Sequence, residues 1–107
     1  MNKNLTKNKI IETLKKEMPY LRKRYGVEQV AVYGSFAKGH QTKKSDIDIL
    51  VKFLKPLGLE FMDLIYHLET VFGRNVDLTT FDTLRRSSHN PRYRRIASEI
   101  QKTLNYV

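Results

Sequence analysis

From Asp46 to Val51 the chain alternates: Ile47, Ile49 and Val51 are apolar, and Asp46, Asp48 and Leu50 stand between them. Successive side chains of a strand leave opposite faces, so this stretch reads as a strand with both aspartates on one face. Strands disfavour Asp. Residues two apart on a strand have Cα atoms roughly 6.5–7 Å apart, close enough for two carboxylates to lean toward one point. At about 4 Å and an effective dielectric of about 20, two such charges repel by about 4 kcal/mol. That is a large part of a small domain's stability, and a bound cation removes it. Hard oxygen ligands without His or Cys suit Mg²⁺, with Mn²⁺ as the alternative. The plainer reading is a pair of solvated aspartates on an edge strand, matched by Lys43 and Lys44. For an isolated D-x-D the plainer reading is the commoner one.

The flanking sequence organises around that strand. Ile10, Ile11, Leu14, Met18 and Leu21 follow helical spacing, so residues 6–24 predict an amphipathic helix, stopped by Gly26. Pro19 removes a donor inside it and predicts a kink or split near Met18. Val27–Tyr33 is β-rich and stops at Gly34; Ser35 is a suitable N-cap for a short turn, Phe36–Lys38, closed by Gly39. After the polar loop "HQTKK" and the strand comes the breaker "KPLG". Residues 59–72 predict a helix with Met62, Ile65, Leu68 or Glu69, and Phe72 at its intervals, Leu64 and Val71 beside them, and Gly73 as its stop. Asn75–Phe81 predicts a strand, and Pro91 opens a last helix with Tyr93, Ile96, Ala97, Ile100 and Leu104 as its stripe. Helix, strand, short helix, strand, helix, strand, helix make an α/β chain in which a small sheet packs with helices.

Bulk properties narrow the class. A chain of 107 residues is expected to form one domain, residues 1–107. There is no cysteine, and His40, His67 and His89 lie far apart, so neither a disulfide nor a zinc-type ligand set is available. The longest uninterrupted apolar run is Val30–Tyr33, too short for a membrane span. "MNKNLTKNKI" lacks a signal-peptide core, and a cytoplasmic location is the expectation. Net charge is +9: residues 1–25 hold eight Lys/Arg against two acids, residues 26–81 six against seven, and residues 82–107 six against two. Basic flanks around a neutral middle point to nucleic acid, nucleotide phosphates or an acidic protein, or simply to a lysine-rich surface.

The Gly-Ser turn changes the weight of the aspartates. Gly34 permits a tight turn or a close backbone approach, and Ser35 opens a helical turn whose free N–H groups favour phosphate. A serine-capped strand-to-helix turn is also common in its own right. Gly34 and Gly39 have the G-x-x-x-x-G spacing, but His40 and Gln41 follow where a P-loop needs Lys and Ser/Thr.

Gly34-Ser35, ten residues and then Asp46-Ile47-Asp48 resembles the G-S-x10-D-x-D signature of the DNA polymerase β-like nucleotidyltransferase superfamily. The string "GSFAKG…SDIDILV" is similar to its minimal branch, the MNT domains. The third acid of that family is matched by Asp77 in "VDL", preceded by "FGRN", and "RRIASEIQKTLNYV" resembles the branch's terminal helix. Ile49 replaces the commoner Leu and Lys38 the commoner Arg, both conservatively. The resemblance implies the polymerase β-like nucleotidyltransferase fold, with a small mixed sheet and helices. It implies two Mg²⁺ ions on Asp46 and Asp48, and Asp77 joining one metal and helping to deprotonate the acceptor hydroxyl. Gly34 and Ser35 would cradle the triphosphate of ATP. Lys38 is a further candidate phosphate contact or a solvated helix charge.

In this branch the partner is typically a HEPN-domain toxin and the MNT protein its antitoxin, which implies AMP transfer to a hydroxyl, that of a tyrosine, on the toxin. Only 30 residues follow Asp77, so another chain is expected to complete the acceptor site; a homo-oligomer is compatible. Two readings compete: an antitoxin that acts by binding alone, and a basic nucleic-acid-binding module. The sequence has no R-G-F/Y stacking motif, and bare carboxylates repel a phosphate backbone, so nucleic-acid binding is expected to be weak or absent. Arg74 reads as a nucleotide or partner contact or as an ordinary loop residue, His67 as structural, and Arg85, Arg86, Arg92, Arg94 and Arg95 as an interaction surface.

Overall fold

The computed structural model describes residues 5–107. Lys3 of the basic start, and the first four residues of the segment read for a targeting signal, lie outside the described residues. Helix α1 (Lys7–Tyr25) forms where Ile10, Leu14, Met18, Leu21 and Tyr25 bury one stripe. The Thr6 side chain accepts from the Lys9 amide at its start, and Gly26, at φ 68°, closes it. Contrary to the expected split, α1 continues through Pro19. Pro19 faces solvent while Met18 and Leu21 on either side of it are buried, so core packing holds the helix across the missing donor.

Among the described residues four strands, β1 (Val27–Tyr33), β2 (Ile47–Phe53), β3 (Val76–Thr80) and β4 (Asn105–Tyr106), form one sheet in the order β3-β2-β1-β4. Strand β1 runs antiparallel to β2, which pairs in parallel with β3. The short β4 pairs antiparallel with β1 at Ala31 and Val32. The sheet is therefore mixed. The predicted third strand ends one residue early, because Phe81 opens a helix. Two elements were not legible in the sequence: β4, and helix α4 (Phe81–Ser88), whose N-cap Thr80 accepts from the Thr83 amide at 3.1 Å.

The two sheet faces differ. Val30, Val32, Ile47, Ile49, Val51, Val76 and Leu78 pack with α1 and with Leu64 and Leu68 of α3 (Glu60–Phe72) in the larger core. Full burial of each large aliphatic contributes about 1.5–3 kcal/mol. On the other face Ala31, Tyr33 and Leu50 meet Leu84 of α4 and Ala97 of α5 (Arg94–Lys102). Two predicted stripes are corrected. In α3 Met62 is 50% exposed, whereas Leu68 of the predicted stripe and Leu64 beside it are buried, with Ile65 and Phe72 packed against the core. Tyr93 and Ile96 are exposed, and Leu104 lies past the end of α5, in the connection to β4. No described helix is long and apolar enough to cross a membrane.

Candidate active site

The second face is where the aspartates emerge. In the parallel pairing of β2 and β3, Asp48 stands directly opposite Asp77. Parallel register partners point the same way, and neighbouring strands lie about 4.8 Å apart, so the two carboxylates share one patch. Asp46 is exposed just before β2. Asp48 is partly buried, and its carboxyl is pushed up to about 6, first by burial and then by the charges of Asp77 and Asp46. Both neighbours thus act electrostatically on Asp48, as a strand with two aspartates on one face requires.

Gly34 explains how Asp48 is accommodated. It has φ +76°, and an added Cβ would overlap the Asp48 carboxylate, lying 2.9 Å from its Cγ. The backbone at Gly34 therefore lies against Asp48, and only glycine leaves room for both. The expectation for Ser35 is corrected in detail. Helix α2 spans Gly34–Lys38 with Tyr33 as its N-cap and no side-chain capping bond, so Ser35 is a helical residue and not the cap. Its carbonyl accepts from the His40 amide at 2.9 Å. Lys38 is exposed at the last position of α2, and no hydrogen bond or ion pair among the described residues draws it toward the carboxylates.

Tyr33 was not singled out by the sequence. It is the cross-strand partner of Asp48 and is buried. Burial pushes its phenol up, a hydrogen bond with the Thr79 side chain opposes this, and Asp77 and then Asp48 add to the rise. The signal was register, which places Tyr33 beside Asp48 and cannot be read from spacing alone. His67 is structural as expected, with Nε2 2.7 Å from Glu17 Oε1 and its ring tilted against Tyr20.

Among the described residues, no three His, Cys, Asp or Glu side chains form a ready-made metal cage. Mg²⁺ is nonetheless commonly held by one or two carboxylates, with waters and substrate phosphates supplying the rest. The hard donor set, the mutual repulsion at Asp48 and the side-chain-free approach at Gly34 fit such an ion. An open groove of about 820 Å³ lies at the other end of β2, lined by residues such as Lys52, Phe53, Phe61, Phe81 and Tyr106. It is lined by Asp82 but by none of Asp46, Asp48 and Asp77, so the carboxylate patch is a separate feature of the surface.

The match to known proteins agrees with this geometry. Residues 8–103 match the nucleotidyltransferase domain family. A Methanocaldococcus jannaschii protein assigned as a protein adenylyltransferase is 39% identical over 105 residues, covering 95% of this chain and 98% of that protein. A solved chain assigned as a minimal nucleotidyltransferase is 26% identical, with TM-score 0.64 and coverage of 96% and 97%. A crystal structure of a toxin–antitoxin with AMP-PNP contains a chain 30% identical, with TM-score 0.52, covering 76% of this chain; the match spans 59% of that chain. Extending over nearly all of its length, these similarities show that the chain belongs to the nucleotidyltransferase domain family.

Proposed function

We propose that this nucleotidyltransferase transfers AMP from ATP to a hydroxyl, that of a tyrosine, on a HEPN-domain toxin and so acts as its antitoxin, with residues 1–107 as one minimal catalytic domain. The observation that carries the reading is the juxtaposition of Asp48 with Asp77, closed on one side by the backbone of Gly34. Asp46 and Asp48, joined by Asp77, would hold Mg²⁺. Two such ions, when bound, stabilise the attacking and leaving oxygens of an in-line displacement. Gly34 and Ser35 bind the triphosphate, and Lys38 reaches a phosphate by swinging from the end of α2. Asp77 helps take the proton from the acceptor hydroxyl. The acceptor oxygen then bonds to the α-phosphorus as the bond to the leaving oxygen breaks, and pyrophosphate departs with that electron pair.

The adenylyl specificity is supported by the assigned activity of the archaeal relative, and the antitoxin role by the toxin–antitoxin neighbour with AMP-PNP. Co-expression with a HEPN-domain partner should leave that partner heavier by one or more adenylyl units, as read by intact-mass spectrometry. Asp46→Ala or Asp48→Ala should abolish both modification and neutralisation. If these variants still neutralise an unmodified partner, neutralisation is by binding alone. AMP on a small molecule in place of a protein would remove the antitoxin role and keep the transfer chemistry.

A further inference from the structure

The loop between α2 and β2 ends at Asp46, and one side chain from β3's lead-in holds it. Arg74 Nη1 donates to the carbonyl oxygens of Thr42 at 3.2 Å and Ser45 at 3.0 Å. Its guanidinium carbon also lies 5.3 Å from the ring centroid of Phe36, which is buried in α2. Arg74 makes no ion pair among the described residues, so its charge is directed at two backbone acceptors, in bonds stronger than neutral ones. We propose that Arg74 is the positioning residue of the site: it ties the loop that ends at Asp46 to the Gly34–Lys38 helix and to the strand that carries Asp77. The three segments come from distant parts of the chain, and this side chain touches or belongs to each of them.

The loop's own bonds leave this role necessary. Thr42 and Ser45 form a local knot, with Ser45 Oγ accepting from the Thr42 amide at 2.8 Å and Thr42 O accepting from the Ser45 amide at 3.2 Å. That knot shapes the loop but does not place it. Two other ties do: Gln41 Nε2 donates to Leu5 O at 3.3 Å, and the Ile47 amide donates to Asn75 O at 3.0 Å. The first lies five residues before Asp46 and the second fixes β2 beyond it. Arg74 bonds the residue immediately before Asp46, so it governs where that exposed carboxylate sits relative to Asp48. Its hydrogen bonds go to backbone carbonyls, so it acts on Asp46 through the loop backbone.

This inference rests on the metal-nucleotide reading above, and the experiment separates the two. Binding of a fluorescent ATP analogue is titrated with Mg²⁺ for full-length wild type, Arg74→Met and Arg74→Lys, alongside amide hydrogen exchange of the metal-free proteins. Arg74→Met should raise the Mg²⁺ concentration for half-maximal binding by about ten-fold, the lower end of what loss of a supporting partner does to metal sites. It should also speed exchange at residues 42–46. Arg74→Lys, which keeps a charged donor but loses the guanidinium over the Phe36 ring, should recover part of both. Saturating Mg²⁺ should restore nucleotide binding in each variant, which a merely unfolded protein would not show. Should Arg74→Met fail to fold, the same two readouts are taken on Arg74→Lys. Unchanged exchange at 42–46, or an unchanged Mg²⁺ midpoint, overturns the positioning role. If wild type itself binds the analogue without regard to Mg²⁺, the underlying metal reading fails, and the exchange arm alone then decides whether Arg74 holds the loop.

Discussion

Asp48 is the residue at which stability and the proposed function oppose each other. Its carboxyl is held at about 6 against an ordinary 3.8, by burial first and by Asp77 and Asp46 second. Between those two values the folded state binds a proton that the unfolded state has lost, so stability falls as pH rises from about 4 to about 6 and is level above. Asp48→Asn should flatten that fall and unfold at a higher temperature than wild type at pH 7.5, with little difference at pH 4, in thermal melts across the range. Mg²⁺ should stabilise wild type at pH 7.5 and not the variant. Gly34 makes a second test. Gly39 shares its left-handed backbone, but a Cβ there meets nothing within 4 Å, whereas at Gly34 it meets Asp48. Gly39→Ala should cost about 1–2 kcal/mol, the ordinary left-handed penalty. Gly34→Ala should cost more, and its excess should shrink when Asp48 is also truncated to alanine. Equal costs in urea titrations would mean that the carboxylate is not packed on Gly34.

At the level of elements, α4 covers the half of the second sheet face that the aspartates leave. It is eight residues long with one buried side chain, Leu84, so packing alone gives it little support. The Thr80 cap is then a large share of what holds it. Thr80→Ala should cost about 1 kcal/mol and Thr80→Ser much less, measured by chemical denaturation; equal losses would mean that the methyl group, and not the hydroxyl, matters. This helix also shows where the sequence stops being legible. Helix α1 and strands β1 and β2 were readable because each repeats an apolar period over several residues. A single leucine in "FDTLRRSS" makes no period, and the two residues of β4 make none either. Asp46, Asp48 and Gly34 stand out in the sequence because residue type and spacing suit the chemistry proposed for them. Tyr33 does not, and Arg74 was legible only as a nucleotide or partner contact or a loop residue, since their structural contacts are with residues 15 or more positions away. In α3 the apolar residues surround the helix, so periodicity allowed several faces and the contacts of Leu64 and Leu68 with the sheet chose one.

Across the whole molecule, the carboxylate patch is small against a net charge of +9, and the basic residues cluster toward both ends of the sequence. On the C-terminal side Arg85 is paired with Asp82 at 2.6 Å, and Arg92 lies over the Tyr93 ring at 5.7 Å. Arg94 and Arg95 make no ion pair among the described residues, and the neighbouring Tyr93 and Ile96 are 44% and 61% exposed. A surface that mixes unpaired arginines with exposed apolar side chains suits an acidic protein face, because the charges speed encounter and the apolar groups slow release. The double substitution Arg94→Glu and Arg95→Glu should slow association with the proposed toxin partner by about ten-fold at low salt, the lower end of electrostatic steering effects. The difference should narrow as ionic strength rises and the Debye length falls to about 8 Å at physiological salt. Binding of Mg·ATP should be unchanged, because neither arginine belongs to the carboxylate site. Stopped-flow association at several salt concentrations measures both. An unchanged association rate would place the partner elsewhere, whereas a steep loss of affinity for a random oligonucleotide with salt, following the number of phosphates contacted, would assign these arginines to nucleic acid.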